Sequence, residues 1–203
     1  MDIKNRQLDA DRPWVVFDFD KTLTYKDTVF GFFWFASKTS KGRLIKACFY
    51  WGLIVAAKLG FFSLNQAKNL GVKWFLGHHD AVSLNKISRR YAESIALNRI
   101  YHTHYEAHRQ NALIVSASLD CYLKHLFDAD RVIAAELKYD ATNHPVGIQK
   151  GCQGEAKLER LAELGIERIH QLYTDSRSDA PLAEIADEIY LVKGNEVRKV
   201  DTL

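Results

Sequence analysis

At 203 residues, 47% of them hydrophobic and 26% charged, the chain has an ordinary globular composition and ample core for one domain with a sizeable insertion. Cys48, Cys121 and Cys152 are widely spaced and form no C-x-x-C pair, which excludes a disulfide framework or a zinc site of that kind and fits a reducing cytoplasm. The net charge of +3 conceals a division: residues 25–110 hold 13 Lys and Arg against 4 Asp and Glu, and 16 of the 24 aromatic residues. Two compositional regimes predict two structural units, the basic, aromatic one inserted into the other.

The opening MDIKNRQLDADRP is polar and holds no apolar run of a secretory signal, so residues 1–13 read as a frayed lead-in. Val15-Val16-Phe17 then begins a short apolar run of the kind found in buried strands, ending in Asp18-Phe19-Asp20-Lys21-Thr22. Ligands of open α/β sheets bind beyond the carboxyl ends of the strands, which makes Asp18, Asp20 and Thr22 a candidate catalytic position. Two carboxylates this close call for a compensating cation, and hard oxygen donors imply Mg2+.

After Thr24 the character changes. The aromatic run Thr28–Phe35 and a basic turn over 37–43 lead to the apolar stretch LIKACFYWGLIVAAKLGFF, residues 44–62, with Lys46 and Lys58 near its ends. Three readings fit it: a buried helix of a helical cap, an interfacial helix lying against anionic lipid, or a single membrane span, the last opposed by its internal lysines. Leu64, Ala67, Leu70 and Trp74 recur at helical steps before Gly77, and 79–109 read as one or two long amphipathic helices. His104 and His108 stand four apart with no evident third ligand, so the histidines of this region read as solvated or capping groups.

The α/β pattern resumes with a strand at Ala112 ending in Ser116-Ala117, where exposed N–H groups at a strand-to-helix turn would cradle an anion, and a helix follows from about Leu119 to Phe127. A third strand covers 131–137, a turn-rich hairpin or loop follows, and Lys157 opens a helix with Leu158, Leu161 and Leu164 on its apolar face. A fourth strand, 169–173, ends in Thr174-Asp175-Ser176-Arg177-Ser178-Asp179, repeating the acidic strand end of the opening motif. Residues 188–192 form a fifth strand and NEVRKV a short edge strand.

Taken together, D-x-D-x-T after the first strand, a Ser at the end of the second, a Lys near a helix start and D-S-x-x-D after the fourth resemble the four motifs of the haloacid dehalogenase-like phosphohydrolases. The resemblance implies an α/β, Rossmann-like, doubly wound parallel-sheet core over 1–24 and 110–203, with a mostly α-helical cap at 25–109. It further implies that Asp18 is the nucleophile and Asp20 the general acid/base, that Thr22, Ser116, Ala117 and Lys157 bind phosphate, and that Asp18, Asp20 through its carbonyl, Asp175 and Asp179 serve a Mg2+ centre. An insert between the first and second motifs is similar to the phosphoserine-phosphatase-like branch, but TYKDTVFGFF offers only Asp27 for an amino group.

The basic, aromatic cap looks more like that of the bacterial phosphatidylglycerophosphatase C group. The expected activity is therefore a Mg2+-dependent phosphomonoester hydrolase acting through an aspartyl-phosphate on a phospholipid head group, at the inner face of an anionic membrane. The alternatives are a soluble metabolite phosphatase with a buried aromatic cap, and a non-catalytic binding module using the basic cap. Nucleic acid is not an expected partner.

Overall fold

The computed structural model describes residues 8–9, 12–38, 42–61 and 63–203; parts of the lead-in and of the basic turn, and Phe62 at the end of the apolar stretch, lie outside them. The core is a seven-stranded sheet built from β1 (Val15–Phe17), β2 (Ala112–Leu119), β3 (Val132–Tyr139), β4 (Pro145–Lys150), β5 (Ile169–Thr174), β6 (Ala186–Lys193) and β7 (Glu196–Val200). Their order is β4-β3-β2-β1-β5-β6-β7. The inner five strands are parallel, and β4 and β7 close the two edges antiparallel.

Continuous apolar runs explain the centre of this sheet. Val15, Val16 and Phe17 are essentially solvent-free on both faces, as strands covered on both sides must be. One face packs Val16, Leu113, Val115, Ile133 and Leu172 against Leu161 and Leu182. The other packs Phe17, Ile114 and Tyr173 into the aromatic core shared with the insertion.

Four helices make up most of that insertion: α1 (Val29–Ala36), α2 (Arg43–Lys58), α3 (Leu64–Gly71) and α4 (Ala81–Ala92). A π-helical turn, Val72–Leu76, follows α3 directly. Ser63 and Gln66 form a reciprocal capping box at the start of α3, satisfying donors that the first helical turn leaves open. Gly71 sits so close to Phe33 and Tyr50 that a Cβ there would lie 2.5 Å from the Phe33 ring.

The span 79–109, read as one or two long helices, divides into two helical segments. After α4 the chain runs through a loop to a π-helical turn at Tyr101–Tyr105 and the short α5 (Glu106–His108). Asn98 explains the break: its Nδ2 donates to the carbonyls of Thr22 and Thr24, while its Oδ1 accepts from the N–H groups of Ile100 and Tyr101. A buried amide that ties the insertion to the loop after β1 cannot also sit mid-helix. The remaining helices belong to the core: α6 (Asp120–Leu123), α7 (Glu155–Ala162) and α8 (Ala180–Ala183).

The most consequential difference from expectation concerns α2. Among the described side chains of this helix only Ala47 and Tyr50 are buried, with Ile54 packed beside them. Ile45, Phe49, Gly52, Val55 and Leu59 recur at three- and four-residue steps along the opposite side, and the four large ones are 54–70% exposed. The outward face of a surface helix is normally polar; here it is apolar, so the buried-helix reading does not describe it. Among the described residues, no helix is long and apolar enough to cross a membrane.

Candidate active site

Asp18 follows the last residue of β1, and its N–H donates to the Tyr173 carbonyl at 2.9 Å, so pairing with β5 fixes its backbone. The chain then turns sharply, with the N–H groups of Thr22 and Leu23 both bonded to the Phe19 carbonyl. Lys21 adopts φ 60° in this turn, a left-handed conformation uncommon outside glycine. Its N–H donates to Thr24 Oγ1 at 3.1 Å.

Lys157 is the third residue of α7. Gly154 precedes that helix with φ 58° and ψ −128°, a backbone conformation open essentially to glycine, and this sets the angle at which α7 meets the sheet. The buried Nζ of Lys157 lies 2.8 Å from Asp18 and 2.8 Å from Asp179. Burial works against the ammonium charge, but Asp18 and Asp179 outweigh it and hold the group well above the usual lysine range. Asp179 also accepts from Thr174 Oγ1 at 2.7 Å, so a hydroxyl at the end of β5 fixes the carboxylate that fixes the lysine.

Asp20 is held differently. One oxygen accepts from the N–H and the hydroxyl of Thr28, at 2.9 and 2.6 Å, and the other accepts from Ser118 Oγ at 2.6 Å. Thr28 immediately precedes α1 and is itself braced by the Tyr122 hydroxyl at 2.7 Å, while Tyr91 donates to its carbonyl at 2.7 Å. Burial and the charge of Asp27 push Asp20 up to about 7, against the opposing bonds from Ser118 and Thr28. A carboxyl poised there can both give and take a proton near neutrality.

Strand β2 continues past its expected end at Ser116, because its pairing with β3 skips from Ser116 to Leu119. The bulge releases Ala117 and Ser118 from the ladder, and bulges commonly re-aim residues beside active sites. Ser116 Oγ accepts the Ser118 N–H at 3.2 Å, and the Ala117 carbonyl accepts from Lys68 Nζ at 2.7 Å. Thr22 is fully buried, and its hydroxyl has no hydrogen-bond partner among the described residues.

Asp175 follows β5 and is partly buried. Burial and the charge of Asp18 raise it to about 6, while Lys21 opposes the shift. Mutually repelling carboxylates of this kind suit a hard divalent cation, and Asp18, Asp175 and the main-chain carbonyl of Asp20 offer the oxygen donors. The side chains of Asp20 and Asp179 are engaged by hydroxyls and by Lys157. Among the described residues no group of three or more His, Cys, Asp or Glu side chains gathers as a metal cluster.

A cleft of about 510 Å3 opens over this constellation, lined by Asp20, Lys21 and Ala117 from the core and by Phe30, Tyr50, Trp51 and Lys68 from the insertion. Thr28, Ser118, Tyr122 and Lys68 went unnoticed in the sequence. Thr28 carried a legible signal as a residue immediately preceding a helix, whereas Lys68 looks like any helix-surface lysine.

A profile of the haloacid dehalogenase-like hydrolase family matches residues 15–184. A protein of unknown function from Bordetella pertussis Tohama I shares 21% identity and a TM-score of 0.72, over 85% of this chain and 86% of that one. A phosphoserine phosphohydrolase-like protein from Francisella tularensis shares 15% identity at TM-score 0.61, with 87% and 85% coverage. A substrate-bound phosphoserine phosphatase shares 16% at TM-score 0.59, with 89% and 86% coverage. No curated protein sequence matches the chain. With one family profile running through both halves of the interrupted core, the chain belongs to the haloacid dehalogenase-like hydrolases.

Proposed function

We propose that the protein is a Mg2+-dependent phosphomonoester hydrolase working through an aspartyl-phosphate, with a phospholipid head-group phosphate as substrate. The observation that carries the chemistry is the buried Lys157 held between Asp18 and Asp179, a fixed cation beside a carboxylate at a strand end. One oxygen of Asp18 is held by the lysine, and the other attacks phosphorus. The bond from phosphorus to the alcohol oxygen breaks, and Asp20 gives its proton to that oxygen. Water then attacks the acyl phosphate and passes a proton back to Asp20, and cleavage of the Asp18–phosphorus bond releases phosphate.

Lys157 offsets charge that spreads over the phosphoryl oxygens in both steps. In this reading the N–H of Ala117 and the hydroxyl of Ser116, at the bulge, cradle them. Asp18, Asp175 and the Asp20 carbonyl would hold Mg2+, which when bound would supply positive charge for the approach of an anionic nucleophile to an anionic phosphate. Asp179 acts by orienting Lys157.

The lipid reading is supported by the cap. Trp51 lines the cleft and is 53% exposed, so the cleft's aromatic wall runs into the outward apolar face of α2. Exposed apolar side chains in a region with nine more basic than acidic residues suit the edge of an anionic bilayer. A phosphoserine-like substrate is the second reading, favoured by Asp27 in the cleft lining and by the phosphoserine-processing proteins of similar fold. Co-flotation with vesicles containing anionic phospholipid tests the first reading. Binding supports it, and a protein that stays at the bottom of the gradient at low salt argues against it.

A further inference from the structure

Away from the catalytic cleft, the segment by which the insertion returns to the core meets the β6–β7 hairpin. A cavity of about 470 Å3 lies between them, lined by Arg99 and His104 from that segment, by Tyr190, Val197 and Lys199 from the sheet, and by Asn195 from the hairpin turn. Each wall is set by its own local structure. Arg99 directly follows Asn98, which is anchored on the carbonyls of Thr22 and Thr24. Asn195 belongs to a two-residue turn closed by the pairing of Lys193 with Glu196, in which Gly194 takes φ 65°. The walls meet where the Arg99 N–H donates to Asn195 Oδ1 at 3.4 Å.

No carboxylate lines this cavity. Arg99 is exposed and makes no ion pair among the described residues. The Asn195 side-chain oxygen is already occupied, which leaves its NH2 group as a donor. Lys199 is held by Glu188 at 2.7 Å, but the same carboxylate also accepts from Tyr190 and Gln171, each at 2.8 Å. Burial and the charge of His108 lower the His104 pKa, so that imidazole adds no charge at neutral pH. The positive charge of Arg99 is therefore uncompensated. Tyr190, its ring stacked on Tyr173 with centroids 4.7 Å apart, gives the cavity an apolar side together with Val197.

We propose that this cavity is a non-catalytic binding site for a small organic phosphate, with Arg99, Asn195 and Lys199 on the phosphate group and Tyr190 and Val197 against the organic part. A guanidinium offers a planar fork of donors to an oxyanion. Donors drawn from three separate elements suit the several oxygens of a phosphate better than the two of a carboxylate. A ligand seated here bridges the insertion and the hairpin one residue from Asn98, which holds the catalytic turn. The site contains neither Asp18 nor Lys157 and does not depend on the reaction proposed above.

The test titrates nitrogen-15-labelled enzyme, without Mg2+ and at constant ionic strength, with phenylphosphonate, which has no phosphoester bond to hydrolyse. NMR is expected to show saturable shifts of the Asn195 side-chain amide and the Arg99 N–H, with a dissociation constant distinct from that of any shift at Ala117 and Ser118 in the cleft. Arg99→Gln should weaken the Asn195 response by about tenfold or more, the scale of a lost charge-assisted contact, and Arg99→Lys should recover part of it. Benzoate should bind there more weakly, and benzyl alcohol should leave Asn195 unmoved. Shifts confined to the catalytic cleft, an unchanged affinity in Arg99→Gln, or an equal response to benzoate or benzyl alcohol would overturn the proposal. Because Arg99 is exposed, a melting temperature equal to that of wild type is expected for both variants and separates lost binding from lost fold.

Discussion

Asp20 belongs to the core, yet one of its oxygens is held by both the N–H and the hydroxyl of Thr28, at the head of the first helix of the insertion. The proposed acid/base is thus positioned by the element that covers the site. Thr28→Val keeps the volume and removes the hydroxyl, and it should lower kcat by about tenfold, a fraction of what general acid/base catalysis contributes. KM should change little, and Thr28→Ser should retain activity. An equal loss in Thr28→Ser, or a loss confined to KM, would show that the hydroxyl does not position the acid.

Lys157 gives the next prediction. Lys157→Ala should reduce kcat by about 10²–10³-fold, the scale on which a preorganised charge-stabilising group acts. It should also lower the melting temperature, because Asp18 and Asp179 would be left buried without their counter-charge. Adding Asp179→Asn should recover part of the stability and none of the turnover. Recovery of both would mean that the lysine serves the fold alone.

Asp175 links metal to pH. Its folded-state value of about 6 lies above the ordinary 3.8, so the native state binds this proton more tightly than the unfolded chain. Across that interval the group costs progressively more stability as pH rises. Without metal, Asp175→Asn should therefore gain in melting temperature over wild type at pH 8 and gain little at pH 4. Mg2+ should stabilise wild type at pH 8 and not the variant. A difference independent of pH, with equal Mg2+ stabilisation of both proteins, would remove Asp175 from the metal centre.

The parts of the molecule written in short-range pattern were legible in the sequence. Val15–Phe17 and the strand from Ala112 are continuous apolar runs ending in polar groups, the strand from Ile169 carries Leu172 and Tyr173 before its polar end, and each is a parallel core strand. What escaped was set by contacts between distant segments. Asn98 breaks a helix by bonding to Thr22 and Thr24, Ser118 leaves its ladder at a bulge to reach Asp20, and Lys68 enters the cleft because Asn69 docks on β4. The direction of the α2 apolar face was equally hidden, since Ala47, Tyr50 and Ile54 repeat with the helical period just as Ile45, Phe49, Val55 and Leu59 do.

That face yields a prediction in which stability and binding separate. Ile45→Ser, Phe49→Ser and Leu59→Ser alter side chains that are 64, 66 and 70% exposed, so each should shift stability by no more than about 0.5 kcal/mol. Together they should abolish co-flotation with anionic vesicles while leaving hydrolysis of p-nitrophenyl phosphate intact. Unfolding of the triple variant would place the face inside an interface, and undiminished flotation would place lipid contact elsewhere.

The most direct single measurement is phosphate release from detergent-dispersed phosphatidylglycerophosphate beside phosphoserine and a panel of soluble metabolite phosphates, each with and without Mg2+. Mg2+-dependent release that favours the lipid is the predicted result, and it would join the catalytic carboxylates to the apolar face of α2 in one function. Release that favours a soluble phosphate, or that proceeds unchanged without the metal, would contradict it.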